Sequence, residues 1–168
     1  MVLGRAPADT RLAAMPVPER TRPIHVPEGG PPPVERPSPA ILEAIGQDGV
    51  FRMLADFYGE LEQSELRRWF PEDMKAASER SAAFFVQLLG GPPLFNERYG
   101  PPRMRMRHFP FEIDEAARRI WLDAFHRVID SAPANYGFPA EHVEGFRAFL
   151  DGFSAWMVNV APDETAPS

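Results

Sequence analysis

Gly100-Pro101-Pro102-Arg103-Met104-Arg105-Met106-Arg107-His108-Phe109-Pro110-Phe111 is the stretch on which the reading of this chain turns. Three arginines stand at alternate positions, followed by one histidine and two phenylalanines about a proline. His108 has apolar neighbours, so it is expected to be at least partly buried. The stretch lies in the middle of residues 90–113, which hold five prolines and three glycines and are expected to be mostly irregular. A loop of that length inside a compact domain is uncommon and is often functional. Helical patterns flank it on both sides.

Downstream, Asp114 is a plausible cap for a helix reaching about Asp130. Its apolar face holds Ile120, Trp121, Ala124, Phe125 and Val128. A last helix is expected after Pro139, running to about Val160. There Val143, Phe146, Leu150, Phe153 and Met157 recur at three and four, the clearest amphipathic pattern in the chain. Upstream, a helix starts near Glu72-Asp73, where acidic residues suit the positive helix end. It passes through Phe84, Phe85, Leu88 and Leu89 and stops at Gly90-Gly91-Pro92-Pro93. Ser64 to Trp69 reads as a short helical turn ending at Phe70-Pro71, because proline forces the residue before it out of the α region. Val50 to Gln63 carries Val50, Met53, Leu54, Phe57, Tyr58 and Leu61 on one face. Before it, Ser38-Pro39 is a good helix start for a short helix over Ala40–Ile45, broken at Gln47-Asp48-Gly49. No segment alternates with period two over strand length, so the fold class is all-α.

Composition sets outer limits. With 168 residues, 44% of them hydrophobic, the chain is one domain's worth with a usable core. Thirteen phenylalanines and seven methionines suit a helical interior wrapped round something large and flat, and equally an ordinary aromatic core. Nine of the twenty prolines fall in residues 1–38, without helical period. Such a segment buries too little to offset its ordering entropy, so 1–38 is expected to be a disordered, proline-rich tail with polyproline II character. Residues 39–161 form the ordered domain, and 162–168 a disordered C-terminus. A net charge of −6 argues against nucleic-acid binding. With no cysteine, disulfides, thiolate metal sites and cysteine nucleophiles are excluded. No apolar run approaches a membrane span. Nor is there the apolar core of a secretory signal, so the expected location is cytoplasmic.

The candidate chemistry centres on histidine. His25 lies in the tail, His126 on the Arg127 side of its helix, and His142 at the start of the last helix; the latter two read as solvent-facing. His108 alone sits among apolar residues. A lone histidine is more often a satisfied core or surface residue than a ligand. No second histidine or carboxylate stands at the short spacing of a zinc site. A single-histidine metal site makes sense mainly where a macrocycle supplies the other ligands, as haem does. Arg103, Arg105 and Arg107 suit haem propionates, because planar guanidinium pairs well with carboxylate, and they suit a solvated basic edge equally well. Tyr58 and Trp121 lie on apolar helix faces, and each has a polar tip that needs a partner when buried.

From about Asp48 to Val160 the chain resembles the group II truncated haemoglobins. The landmarks, in order, are Phe57-Tyr58, Trp69-Phe70-Pro71-Glu72-Asp73, Glu79-Arg80 and Gly90-Gly91-Pro92. Arg103-Met104-Arg105-Met106-Arg107-His108 with Pro110-Phe111 follows, and then Trp121. The proximal segment together with that tryptophan is the specific part. The resemblance implies a truncated globin fold, a two-on-two helical sandwich, with haem b as cofactor.

The resemblance also implies roles. His108 would be the proximal iron ligand. Tyr58 and Trp121 would direct their O–H and N–H at the ligand from the distal side, with Ala77 and Ser81 the distal-helix residues nearest to it. Phe70 would pack on the haem face, and Phe84, Met104 and Phe111 would form the pocket wall. Arg80, Arg105 and Arg107 would meet the propionates. Pro101-Pro102 departs from the family's His-Pro and Leu88-Leu89 from a more aromatic pair, while Ser81 replaces a larger residue and leaves a roomier or wetter distal pocket. The function implied is binding of O2 and other diatomic gases, in the sense of oxygen transport. The alternatives are an NO dioxygenase or peroxidase-like enzyme served by an external reductase and, third, a ligand sensor using the tail. Neither nucleic acid nor membrane is an expected partner, and a homodimer stays open.

Overall fold

A computed structural model describes residues 19–162. Seven α-helices carry the described chain: α1 Ala40–Glu62, α2 Met74–Leu88, α3 Leu94–Tyr99, α4 Met104–His108, α5 Glu115–Asp130, α6 Ala132–Tyr136 and α7 Val143–Met157. Short 3-10 turns at Glu65–Trp69 and Ala140–His142 complete them, and the described residues contain no strand. α1 packs on α2 and α5 packs on α7, and α1 also meets α5, so two helix pairs form the two-on-two sandwich.

The local rules that start the helices act as expected. The Asp73 carboxylate accepts from the Ala76 N–H at 3.0 Å. Asp114 caps α5 in the same way through Ala117, at 2.8 Å, and Ser64 caps its 3-10 turn through Leu66. Each bond satisfies a donor that a helix start leaves free. The break in α1 falls one residue earlier than expected, at Gly46, whose φ of 68° suits glycine and little else. Helix resumes through Asp48-Gly49, because Gly49 is buried and its Cα leaves room for the Ile45 side chain. The expected irregular loop contains two short helices, α3 and α4, that are too brief for periodicity to reveal. Likewise α6 was not foreseen, and α7 ends at Met157 rather than near Val160.

The core behind the site is aromatic. Phe57 stacks on Phe125 with centroids 4.1 Å apart. Phe125 meets Phe146 edge-on at 5.8 Å, and Phe138 closes on Phe146 at 5.4 Å. Phe57, Phe125, Phe138 and Phe146 are all buried.

Residues 1–18 of the expected tail, and 163–168 of the expected C-terminus, lie outside the described residues. From Glu19 onward the proline-rich segment has no helix or strand, as its composition implies, yet it is laid against the domain rather than loose. Arg36 Nε donates to the Leu88 carbonyl at 3.1 Å, and Val34 packs on the core. A Cβ added at Gly152 of α7 would come within 2.2 Å of Val34 Cγ2. Side-chain and backbone hydrogen bonds supply here what apolar burial does not.

Candidate functional site

A cavity of about 350 Å3 lies between the helix pairs, within the range usual for small-molecule sites, ~300–1,000 Å3. One wall is α4. A single five-residue turn is far below the length at which a helix is stable alone, so its geometry is imposed by what surrounds it. Arg103 enters it in the left-handed region, at φ 40°. His108 faces the cavity, and its Nδ1–H donates to the Met104 carbonyl at 2.5 Å. That bond fixes the ring orientation and the tautomer, leaving Nε2 with no protein partner among the described residues. Burial pushes the His108 pKa below its ordinary value, partly offset by the Met104 carbonyl. The imidazole is therefore neutral at neutral pH, the form that binds a metal.

The arginines separate. Arg107 lines the cavity with its guanidinium over the Phe95 ring at 5.0 Å. Its Nε donates to the Pro102 carbonyl at 2.5 Å, and its Nη2 to Tyr99 and Pro101 at 2.9 and 2.8 Å. Arg105, expected at the propionates, is placed elsewhere. It is not on the cavity wall, and its guanidinium stacks over Trp156 at 4.5 Å. It donates to the carbonyls of Trp156, Val158 and His25, the last two at 2.8 and 2.6 Å. Alternate positions on one helical turn point to different sides, and here Arg105 turns to Trp156 of α7 while Arg107 lines the cavity. Arg80 lines the cavity from α2, stacked on Tyr99 at 4.7 Å, with no carboxylate paired to it among the described residues.

α1, α2 and α5 carry the other polar tips of the cavity. Phe57 turns into the core, and its neighbour Tyr58 turns to the cavity, edge-on to Phe70 at 5.5 Å. Burial pushes the Tyr58 phenol up from its ordinary value, with the Ser81 hydroxyl and the Arg80 charge pulling part of the way back. The phenol stays protonated and is a donor. Trp121 is held by edge contacts to Phe57 and Phe125, at 5.4 and 5.5 Å. Its indole N–H has no hydrogen bond among the described residues. Ala77 and Ser81 line the cavity from α2, while Phe84, Met104 and Phe111 complete the apolar surround.

Several wall residues escaped the sequence reading. Phe153 and Met157 were assigned to a core face, yet they line the cavity. Arg118, also lining it, donates to the Ser154 hydroxyl at 3.0 Å and pairs with Asp151 at 2.8 Å, fastening α5 to α7. Asn159 was missed entirely. It is fully buried, and its Nδ2 donates to the carbonyls of His108 and Phe111 at 3.2 and 2.9 Å. It follows the last helix, where periodicity carries no information; an amide between Val158 and Val160 was the only hint. His126, read as exposed, is half-buried, with Nε2 buried and unpartnered.

A second cavity, about 400 Å3, lies behind Trp69 and Phe111. Charged groups including Arg22, Arg68 and Glu112 line it, and no histidine does. Of the two cavities, the apolar one is lined by His108. Among the described residues no three His, Asp or Glu side chains gather as a metal site. One neutral imidazole with a disengaged Nε2, apolar walls and arginine at the edge fit a flat apolar macrocycle that brings its own metal ligands and carries anionic groups.

A two-on-two helical sandwich closed over such a cavity defines a truncated globin. Residues 40–159 match the family model for bacterial-like globin. The chain is 34% identical over 130 residues to the group 2 truncated hemoglobin YjbI of Bacillus subtilis (strain 168), covering 77% of this chain and 96% of that one. The crystal structure of truncated oxygen-avid haemoglobin from Bacillus subtilis superposes with a TM-score of 0.64 at 31% identity, over 70% of this chain and 98% of that one. A thermostable hemoglobin from Thermobifida fusca gives 0.66 at 32%, over 73% and 98%. The chain belongs to the bacterial-like globin family, and membership implies a haem and the binding of a small ligand to it.

Proposed function

We propose that this protein binds O2, and other diatomic gases, at a haem b whose iron is held by His108. The observation that carries this reading is the His108 Nδ1–H bond to the Met104 carbonyl, which directs an unprotonated, unengaged Nε2 into the apolar cavity. When bound, the haem supplies the iron at which a diatomic ligand coordinates. The chain supplies everything else. Phe70, Phe84, Met104 and Phe111 give the cavity an apolar lining. Arg80 offers an unpaired guanidinium to a propionate; Arg107 offers what its backbone bonds leave over. Tyr58 and Trp121 bring an O–H and an N–H donor to the same cavity, and the Ser81 hydroxyl stands beside the phenol. Two donors facing a diatomic ligand favour retention over fast carriage. That supports storage, or a redox role in the cytoplasm with electrons from an external reductase, above rapid transport.

Haem titration tests the assignment. The purified protein is expected to take up one haem per chain with a sharp Soret band, and His108→Ala is expected to lose that band or its ligand-free spectrum. A protein that stays colourless, or an unchanged spectrum in His108→Ala, overturns the proposal.

A further inference from the structure

The N-terminal segment does more than cover surface. Arg20 Nη1 donates to the Phe109 carbonyl at 2.9 Å and to Phe111 at 3.3 Å, directly after His108. The same nitrogen reaches Asn159 Oδ1 at 2.9 Å, and Nη2 reaches the Asn159 carbonyl at 2.8 Å. Asn159 in turn donates to the His108 carbonyl. The His25 N–H donates to the Asn159 carbonyl at 2.9 Å, and the His25 carbonyl accepts from Arg105 of α4. Glu112 receives the Thr21 and Arg22 N–H groups, each at 2.6 Å, and pairs with the Arg22 guanidinium. Beyond the C-terminal end of α4 the Phe109 carbonyl would otherwise lack a partner among the described residues, while those of His108 and Phe111 accept from the N–H groups of Phe111 and Ile113 and take these side-chain donors as second partners. The side-chain donors come from outside, from one arginine and one asparagine 139 residues apart.

We infer that Arg20 and Asn159 are positioning residues for His108: the segment 19–25 is a clamp that sets how the imidazole is presented to the iron. His108 sits on a single turn that these bonds hold at its C-terminal end, beside those of Arg105 and Arg107, so loosening them frees that end of the turn and with it the ring. The effect on the iron rests on the proposed ligation by His108. The effect on the backbone of 104–112 does not.

The test uses the full chain in three variants. Arg20→Ala removes the fork. Arg20→Lys keeps the charge but cannot bridge Phe109 and Asn159 together. Arg36→Ala detaches the other end of the segment, at Leu88, as the control. Two measurements are made: amide hydrogen exchange without haem, and the iron–histidine stretching band by resonance Raman in the ferrous haem-loaded protein. Arg20→Ala is expected to speed exchange in 104–112 by on the order of tenfold or more while α1, α2 and α5 stay protected. It is also expected to shift or broaden the iron–histidine band. Arg20→Lys is expected to change both in the same direction by less, and Arg36→Ala to leave both unchanged. Exchange and band unaltered in Arg20→Ala overturn the inference, as does an equal change in Arg36→Ala. If Arg20→Ala does not fold, Arg20→Lys decides by the same two readouts. If the wild-type chain takes up no haem, the ligation reading fails, while the exchange result still judges the clamp.

Discussion

The two walls of the cavity are built on opposite principles. On the His108 side nearly every polar group is committed. Nδ1 is bonded to Met104, Arg105 and Arg107 to six carbonyls between them, and Asn159 to His108 and Phe111. Among the described residues the imidazole Nε2 and Nη1 of Arg107 are left over. On the Tyr58 side the polar tips are left open, and aromatic edges hold the rings: Phe57 and Phe70 for Tyr58, Phe57 and Phe125 for Trp121. Hydrogen bonds fix direction as well as distance, which suits a group that must aim one nitrogen. Aromatic contacts fix a ring's position yet consume none of its donors. One wall engages its donors with its own backbone and holds the imidazole still, and the other leaves its donors free for what enters.

That contrast can be broken at either wall. The largest effect is expected on the open side. Tyr58→Phe removes one donor and changes almost no volume, so O2 release measured by stopped flow should quicken by about ten- to a hundredfold, the worth of a hydrogen bond to a charged acceptor. Trp121→Phe should quicken it by less, because the smaller ring also repacks against Phe57 and Phe125. If both variants release O2 like the parent, the saved donors do not meet the ligand and the contrast fails.

A smaller effect tests the committed side through Glu112. Bonds from the Arg22 and Thr21 backbone hold its pKa down from an ordinary 4.5 to about 2. Because the folded value is depressed, its contribution is complete above about pH 4.5 and is lost as pH falls towards 2. Hydrogen-exchange protection in residues 19–25, taken relative to the intrinsic rate at each pH, should therefore fall across that window. In Glu112→Gln that protection should already be low at neutral pH and flat below. A window unchanged by the substitution would mean that another group holds the segment.

Much of the fold was legible because it rests on local rules. Asp73, Asp114 and Ser64 cap where their chemistry says they should, and Phe146, Leu150, Phe153 and Met157 keep helical spacing. The cavity-lining residues were legible in a different way. Tyr58, Ser81, His108 and Trp121 are spread over four helices, so no local pattern joins them; only resemblance to a whole family did. Arg105 misled because a methionine adjoins it and an arginine stands one residue further on either side, while about 100° of rotation per residue decides which way it points. Asn159 and the held segment were illegible for a plainer reason: their bonds span more than forty residues of chain, and a proline-rich stretch looks the same in sequence whether it is free or docked.

Gly152 shows what such docking leaves behind. On an exposed helix face a glycine is a loss of about 1 kcal/mol against alanine, and nothing within α7 calls for one. Val34 does, since it occupies the space a Cβ would need. The two positions are therefore coupled: a side chain at 152 needs a smaller residue at 34 or a shift of the N-terminal segment. A single small residue near the end of the chain thus preserves the footprint of its beginning.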